Sequence, residues 1–435
     1  MRTFLIIWLG QLISTVGSGL TSFALGVWIY LETGSPTLFA LNILLFTLPG
    51  ILFSPFIGSI VDQVDRRWVM VGSDVGAGLT TLAIWLVFQS GEMAVWHVYL
   101  ATFLNATFSN FQWTAHSATT SSIVSREQLG RASGLTQASE AISMLVGPIL
   151  AGSLYVSIGL AGIALIDFAT FCVAVATLLF IRIPRPERSP TGASSGHSFA
   201  QDTFFGWRYI AARPGMLGLL IYFAALYFII GMIDPLLGPM ILDMTSPERM
   251  GMILSFMGAG YLGGTVLMSV WGGPRRRTLG ILIVGIVQGV IMIGFGASRS
   301  LTVITGAIFF FSLLDPIVGG SSQAFWQTKV PADIQGRVFS VRRAVSRIGL
   351  ASSLLLAGPL AEKLFEPLLL RDGALAGNLG RAIGVGVGRG TGLLFIILGL
   401  LFSLSSLLGL IYAPLRRADM IIPDATGQTR TPLDN

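Results

Sequence analysis

Charged residues are scarce in this sequence. Asp, Glu, Lys and Arg make up 11% of the 435 residues, whereas hydrophobic residues make up 53%. Soluble domains carry charge at about a quarter of their positions, so this composition favours a helical membrane protein over a soluble one. The formal net charge is +6, but the basic residues are scattered through short loops between apolar runs. That pattern indicates orientation in a membrane and no nucleic-acid partner.

Cysteine is also rare, because Cys172 is the single cysteine of the chain. An intrachain disulfide and a cysteine-based zinc or redox motif are therefore excluded. The sequence also lacks GxxxxGK[ST], HExxH and any Ser, His and Asp set of recognisable spacing. We therefore expect neither an enzyme nor an ATP-driven pump, and no cofactor.

Long apolar runs are abundant, and each is long enough to cross a hydrocarbon core of about 30 Å at about 1.5 Å per residue. We predict an all-α membrane protein with twelve transmembrane helices in two sets of six. The first set covers residues 4–30, 37–61, 68–89, 96–121, 130–155 and 158–181. The second covers residues 216–241, 249–271, 278–297, 301–327, 337–365 and 390–413.

Polar segments separate and follow the two sets. Residues 1–183 form the predicted N-terminal half and residues 207–413 the C-terminal half. Between them, residues 184–206 are rich in Pro, Ser and Gly, which predicts a flexible cytoplasmic linker. The stretch FGWRYIAARPG predicts a short interfacial helix, and the polar tail at residues 414–435 is expected to be disordered.

The distribution of basic residues predicts that both termini are cytoplasmic. In that orientation all but six of the 27 Lys and Arg residues lie on the cytoplasmic side, as the positive-inside rule requires. The six on or near the outer side are Arg249, Arg299, Lys363, Arg371, Arg381 and Arg389. We expect a multi-pass monomer of the cell inner (plasma) membrane, in contact with the lipid bilayer.

A short charged turn, GSIVDQVDRRWVM, joins the second and third predicted spans. It resembles motif A of the major facilitator superfamily, GxLaDrxGRKxxl, in its drug-exporter branch of macrolide-efflux (DHA3-type) proteins. The matching positions are Gly58, Asp62, Arg66, Arg67 and Met70, while Gln63 and Asp65 depart from the motif. The resemblance implies the twelve-helix major facilitator fold and a cytoplasmic gate at this turn. Gly58 would allow close helix approach, and Asp62 would bond an arginine or a helix N-terminus nearby.

An internal repeat at an offset of 206 residues supports the two halves independently. Val124, Gly130, Arg131, Leu150 and Gly152 are matched by Val330, Gly336, Arg337, Leu356 and Gly358. Parallel repeats are the arrangement expected of the two halves in this superfamily. Chance coincidence among glycine-rich helices is the alternative.

Small residues in the fifth span have the spacing of the superfamily's antiporter motif C. They are Gly134, Ser143, Gly147, Pro148, Ala151 and Gly152, with Ser143 and Ala151 replacing glycines. Such residues form a groove that lets a facing helix approach closely, and Pro148 bends the span. The resemblance implies an exporter, whereas ordinary packing of small residues is the alternative.

Charged and titratable side chains within the spans are the candidates for proton or substrate binding, because a charge at this depth is costly and usually faces protein or a wet cavity. The candidates are Glu140, Asp315, Asp234, Arg347 and His116. The resemblance places the spans of the three acids near the central path. Asp74 and Asp167 lie on spans that the superfamily uses as a scaffold, so we expect structural hydrogen bonds there. Arg342 and Arg343 are expected at the interface.

Two functions of different classes remain open. One is secondary active export of an amphiphilic or hydrophobic small molecule, such as a drug, macrolide or secondary metabolite, with protons as the coupling ion and alternating access by rocking halves. The other is a lipid or lysolipid flippase, or a non-transporting sensor of the same fold. A carboxylate that exchanges protons near neutral pH would distinguish them.

Overall fold

A computed structural model describes residues 2–124, 128–180, 199–331 and 334–425. Within these ranges the chain is helical and contains no β-strand. The first nine helices are α1 Arg2–Thr33, α2 Pro36–Leu52, α3 Ser54–Gln63, α4 Arg66–Gln89, α5 Val95–Ile123, α6 Leu129–Phe180, α7 Phe199–Ala211, α8 Pro214–Ile230 and α9 Ile233–Leu242. The others are α10 Pro247–Trp271, α11 Arg277–Ala297, α12 Leu301–Lys329, α13 Gln335–Pro359, α14 Glu366–Leu369, α15 Leu379–Ile383, α16 Arg389–Ile411, α17 Ala413–Arg416 and α18 Ala418–Ile421.

Nine helical segments in the described part of the chain are long and apolar enough to cross a membrane. One of them, Gly134–Phe180, contains Gly159 at φ +67°, a left-handed conformation that interrupts α6 and divides it into two crossings. Two predicted spans remain. Helix α5, which is less apolar, coincides with the span at residues 96–121, and the consecutive helices α2 and α3 together coincide with the span at residues 37–61. The twelve spans expected from the sequence therefore all coincide with helices.

Local sequence explains where several helices begin. Ser35 caps α2, because its hydroxyl accepts a hydrogen bond from the Leu38 amide at 3.3 Å, and Pro36 follows it in the first turn. Asp65 caps α4 in the same way through the Arg67 amide at 3.0 Å. Pro214 opens α8. These caps satisfy amide donors that the first turn of a helix leaves without partners.

The chain divides into two compact units. The first comprises the described residues of Met1–Ser189 together with Leu237–Gly258, and the second those of Pro190–Leu236 and Ala259–Asn435. In the first unit α1 packs along α6, and α4 packs against α5 and α6. In the second unit α11 packs between α12 and α16, and α13 contacts α7 and α8.

The predicted linker and the predicted interfacial helix are partly visible. α7 begins at Phe199, inside the segment expected to be a flexible linker, and continues through the expected interfacial helix. It is held against α13, where Gly206 lies on the Arg337 carbonyl and the Arg337 guanidinium lies 5.2 Å from the Phe205 ring. The rest of the linker, up to residue 198, lies outside the described residues.

The prediction that the tail is disordered from Pro414 is wrong for residues 414–425. The buried ammonium of Lys329 donates hydrogen bonds to the Asp419 and Ile422 carbonyls at 2.7 and 2.5 Å and pairs with Asp424 at 2.9 Å. The Asp419 carboxylate accepts bonds from the amide and hydroxyl of Thr278, both at 2.7 Å. The polar residues that suggested disorder instead attach this segment to α11 and α12. Residues 426–435 lie outside the described part.

The glycine-rich segment before α16 is folded as well. The Glu366 carboxylate accepts hydrogen bonds from the amides of Gly388 and Gly390 at 2.5 and 3.0 Å, so it caps the start of α16. Arg389 donates to the carbonyls of Ser298 and Ile383 at 3.1 and 3.0 Å. These bonds attach the segment before α16 to Glu366 and to the end of α11 at Ser298.

Candidate functional site

Both arginines of the hairpin between α3 and α4 bind backbone carbonyls of the first unit. Arg66 donates a hydrogen bond to the Ala118 carbonyl of α5 at 2.8 Å. Arg67 donates from Nε and Nη2 to the carbonyls of Leu178 and Leu179, at 2.9 and 2.6 Å. Those two carbonyls belong to the last described turn of α6. The hairpin therefore joins the start of α4 to the ends of α5 and α6.

Of the other hairpin positions, Gly58 differs from the expectation. A methyl group placed on Gly58 would lie clear of every described atom, so the close helix approach expected there is not observed. Met70 is fully buried in an apolar cluster with Ile57 and Val61. The side chain of Asp62 lies outside the described part of the chain, and its expected partner is therefore not defined.

Close backbone contact occurs at the antiporter-type segment of α6. A Cβ added to Gly152 would lie 2.6 Å from the Pro247 carbonyl oxygen, at the start of α10. Gly251 of α10 lies directly on the Pro148 carbonyl, and a Cβ on Gly258 would lie 2.8 Å from the Met144 carbonyl. Helices α6 and α10 thus approach to backbone contact, as small residues permit.

The remaining positions of this segment are divided between packed and open sites. Ala151 is fully buried, and the Ser143 hydroxyl is buried without a hydrogen-bond partner among the described residues. Gly134 and Gly147 have open space beside their Cα atoms. Sequence reasoning missed the partner glycines Gly251 and Gly258, although their seven-residue spacing on one helix face was a readable signal.

Another polar contact in the first unit involves a titratable group outside the spans, at the segment that follows α9. The Tyr30 hydroxyl of α1 donates to the carboxylate of Asp243, which follows α9, at 2.5 Å. Burial raises the pKa of the Asp243 carboxyl, and the hydrogen bond from Tyr30 acts in the opposite direction. The ring of Tyr30 also packs edge-on against Phe39, which fills the space beside Gly238.

The charged candidates within the spans have different surroundings. Glu140 is exposed on α6. In the second unit, Asp234 is exposed in the first turn of α9, while Asp315 of α12 is half-buried beside Pro316. Asp234 and Asp315 lie within electrostatic range of each other in this unit. Arg347 is exposed on α13, and the Nε2 atom of His116 is buried without a hydrogen-bond partner in the described ranges.

Arg342, which was expected at the interface, is partly buried and contacts residues of α8 and α12. Its guanidinium donates to the Gln323 amide oxygen at 3.0 Å and to the Ser322 hydroxyl at 3.1 Å. It also lies 5.9 and 5.8 Å from the rings of Phe223 and Trp326. Neutral acceptors on α12 and the aromatic faces of Phe223 and Trp326 therefore accommodate the Arg342 guanidinium. Arg343, the next residue, is exposed.

The structure confirms hydrogen bonds for the two scaffold acids. Asp74 of α4 is 3% exposed and accepts from the side-chain amides of Gln11 and Gln112, at 3.0 and 3.3 Å. Asp167 of α6 is 1% exposed and accepts from the hydroxyls of Thr81 and Ser18, at 3.2 and 3.4 Å. Both carboxyl groups therefore link helices of the first unit through neutral donors.

Comparison with known proteins agrees with this arrangement of helices. The profile of the Major Facilitator Superfamily matches residues 7–354. The chain belongs to that superfamily. It is a multi-pass membrane transporter and not an enzyme. The match covers the hairpin, the α6 segment and all five span candidates.

Individual relatives include named exporters. The chain is 26% identical to macrolide efflux protein A of Streptococcus pyogenes over 375 residues, which cover 83% of this chain and 90% of that protein. It is 24% identical to the multidrug efflux pump Tap of Mycolicibacterium fortuitum, over 82% of this chain and 89% of the pump. A bacterial homologue of the lysosomal transporter Spinster, solved in an inward-facing conformation, superposes with a TM-score of 0.68 at 14% identity, over 93% of this chain and 96% of that one. This last likeness concerns the fold alone.

Proposed function

We propose that the protein is a secondary active exporter of amphiphilic or hydrophobic small molecules, with a macrolide or a comparable drug or secondary metabolite as cargo. The backbone contact between α6 and α10 is the observation that supports this most strongly, because it occurs at the segment whose spacing is typical of antiporters. Relatives named as macrolide and multidrug efflux proteins support the same direction of transport.

Protons are the proposed coupling ion. Glu140 in the first unit and the interacting acids Asp234 and Asp315 in the second are the candidate carriers. Two neighbouring carboxyl groups disfavour ionisation of both, so one of them binds a proton or attracts a cationic group of the cargo. Exchange of the proton for the cargo then couples the two fluxes as access alternates between the two sides of the membrane.

The hairpin is the proposed cytoplasmic gate. Arg66 and Arg67 are engaged with carbonyls of α5 and α6, so a movement of α4 must break or carry these bonds. Gly58 and Asp62 complete the proposed gating motif. The gate lies on the cytoplasmic side only in the predicted orientation, in which both termini are cytoplasmic. In this proposal the protein is a monomer embedded in the cell inner membrane.

Export is tested by measuring erythromycin accumulation in inverted membrane vesicles that contain the protein. An interior-acid pH gradient should drive accumulation, and collapsing the gradient with an ionophore should abolish it. Vesicles carrying Asp315→Asn or Glu140→Gln should identify the carrier among the candidates. Accumulation that is the same with and without the gradient would refute proton antiport, and transport of lysolipid in place of erythromycin would favour the flippase.

A further inference from the structure

A stripe of polar side chains runs along one face of α5. Thr102, Asn105, Gln112 and His116 are separated by three, seven and four residues. At 3.6 residues per turn these positions fall within about 80° of the helix circumference and extend over about 21 Å, most of the thickness of a hydrocarbon core. The stripe faces three other helices of the first unit, because it contacts Asn42, Asp74 and Phe4.

Three polar atoms of this stripe are buried without a hydrogen-bond partner among the described residues. Thr102 donates to the Asn42 side chain at 2.8 Å, but the Asn105 Oδ1, Gln112 Oε1 and His116 Nε2 atoms have no hydrogen-bond partner among the described residues. If these three atoms also lacked hydrogen bonds to water, each would cost about 1–3 kcal/mol of folding free energy. Buried polar atoms without protein partners normally bind ordered water. We therefore expect ordered water molecules along the stripe, and we call this row of water sites the hydrated track.

Asp74 lies beside the middle of this track. Its carboxyl oxygen Oδ2 accepts bonds from Gln112 of α5 and Gln11 of α1. Both donors are neutral amides, and neither changes its charge when a proton arrives. Asp74 lies eight residues, or about 12 Å, along α4 from Arg66.

The other titratable groups around Asp74 are few. His116 lies one helical turn from Gln112 on α5. Asp167 of α6 accepts a hydrogen bond from Thr81, which lies two turns after Asp74 on α4. The hairpin cations Arg66 and Arg67, at the start of α4, are bonded to carbonyls of α5 and α6. No described basic side chain bonds Asp74, so protonation of this carboxyl breaks no ion pair in the described part of the chain.

We propose that the polar stripe of α5 is a hydrated proton path and that Asp74 is a proton-binding residue on it. This inference rests on the proposed proton antiport. A proton that enters from water along the track binds the Asp74 carboxylate and gives the neutral acid. It leaves to water on the opposite side after access has changed, which regenerates the carboxylate. A solely structural Asp74 would instead hold α1, α4 and α5 together by the same hydrogen bonds.

Hydration of the stripe is tested by thiol labelling, which needs no transport. Asn105→Cys and Gln112→Cys are made in a Cys172→Ser background and treated in membranes with a water-soluble, membrane-impermeant thiol reagent. Trp113→Cys is the control, because Trp113 is 63% exposed, lies about 100° from Gln112 around the axis of α5 and should face lipid. We expect labelling at positions 105 and 112 and little at 113. Absence of labelling at both stripe positions would overturn the hydrated track.

The role of Asp74 is tested with erythromycin in inverted vesicles under an imposed pH gradient. Asp74→Asn, which can still hydrogen bond, should lose gradient-driven accumulation while retaining erythromycin binding, and Asp74→Glu should restore part of it. The matched control is Asp167→Asn, because Asp167 is equally buried but contacts hydroxyls away from the stripe. It should retain the gradient response.

The two possible failures are distinguishable in this experiment. If the wild-type protein shows no gradient response, the proposed antiport fails and the proton path fails with it. If the wild type responds and Asp74→Asn responds equally, only the assignment of Asp74 is overturned. Loss of folding is monitored by size-exclusion chromatography and by erythromycin binding, and Asp74→Glu provides the second variant if Asp74→Asn does not fold.

Discussion

At the scale of single residues, the cations of this protein bind backbone carbonyls at helix ends. Arg67 bonds the last turn of α6, Lys329 bonds the carbonyls of Asp419 and Ile422, and Arg389 bonds those of Ser298 and Ile383. Carbonyls at helix C-termini carry partial negative charge and lack partners within the helix. Carbonyl oxygens can therefore hold arginines and lysines in a chain with few acids, either alone or, for Lys329, together with the Asp424 carboxylate.

Asp243 gives a prediction about pH at the same scale. Burial raises the pKa of this carboxyl, so the folded protein favours its neutral form. The corresponding stability is present below the unfolded pKa of about 4 and is lost as pH rises through the folded pKa. Asp243→Asn should therefore gain thermal stability relative to wild type as pH rises from about 4 towards neutrality, measured as melting temperature in detergent.

The Tyr30→Phe variant is the counterpart of this test. Removing the hydroxyl takes away the hydrogen bond that favours the Asp243 carboxylate, so the variant should lose stability near neutral pH and little in acid. If the melting temperatures of both variants differ from that of wild type by an amount that does not change with pH, Asp243 does not titrate in this range.

At the scale of helices, α6 and α10 are held in backbone contact by Gly152, Gly251 and Gly258. The antiporter spacing on α6 predicted a groove, but the structure shows which of its glycines is used. Gly152 is in contact, whereas Gly147 has open space beside it. The sequence could not make this distinction, because it depends on the angle at which α10 crosses α6.

We predict that Gly152→Ala and Gly251→Ala impair both stability and export, because each added methyl group overlaps a carbonyl of the facing helix. The expected loss of stability is about 1–3 kcal/mol, the usual cost of overpacking. Gly147→Ala is the matched control, with the same chemical change in open space. Equal melting temperatures and erythromycin efflux for all three variants would contradict the proposed role of the contact.

The folded tail gives a second prediction at this scale. Lys329→Met removes the ammonium that bonds two tail carbonyls and Asp424, so residues 413–425 should detach from α12. Chymotrypsin should then cleave this segment faster than in wild type. Lys363→Met, which removes an exposed lysine, is the control and should leave the cleavage rate unchanged. Protection of the tail in Lys329→Met would mean that the apolar contacts of Leu415 and Ala418 are sufficient.

At the scale of the whole molecule, apolar run length was enough to predict the helical architecture, because crossing a bilayer requires about 20 apolar residues per helix. It was not enough for the polar segments. Asp419 and Lys329 lie 90 residues apart, and their contact cannot be read from local pattern. The same holds for Asp74, whose two amide donors come from different helices. The sequence predicted a structural hydrogen bond for Asp74 but not which side chains donate it.

The central claim, exchange of cargo for protons, is tested most directly in proteoliposomes that contain the purified protein and an internal pH-sensitive dye. With no initial pH difference, an outward gradient of erythromycin is imposed across the membrane. Antiport predicts that erythromycin leaving the vesicles draws protons in, so the lumen acidifies, and that protein-free liposomes show a smaller change. Erythromycin efflux through the protein with no acidification beyond that of protein-free liposomes would contradict the account.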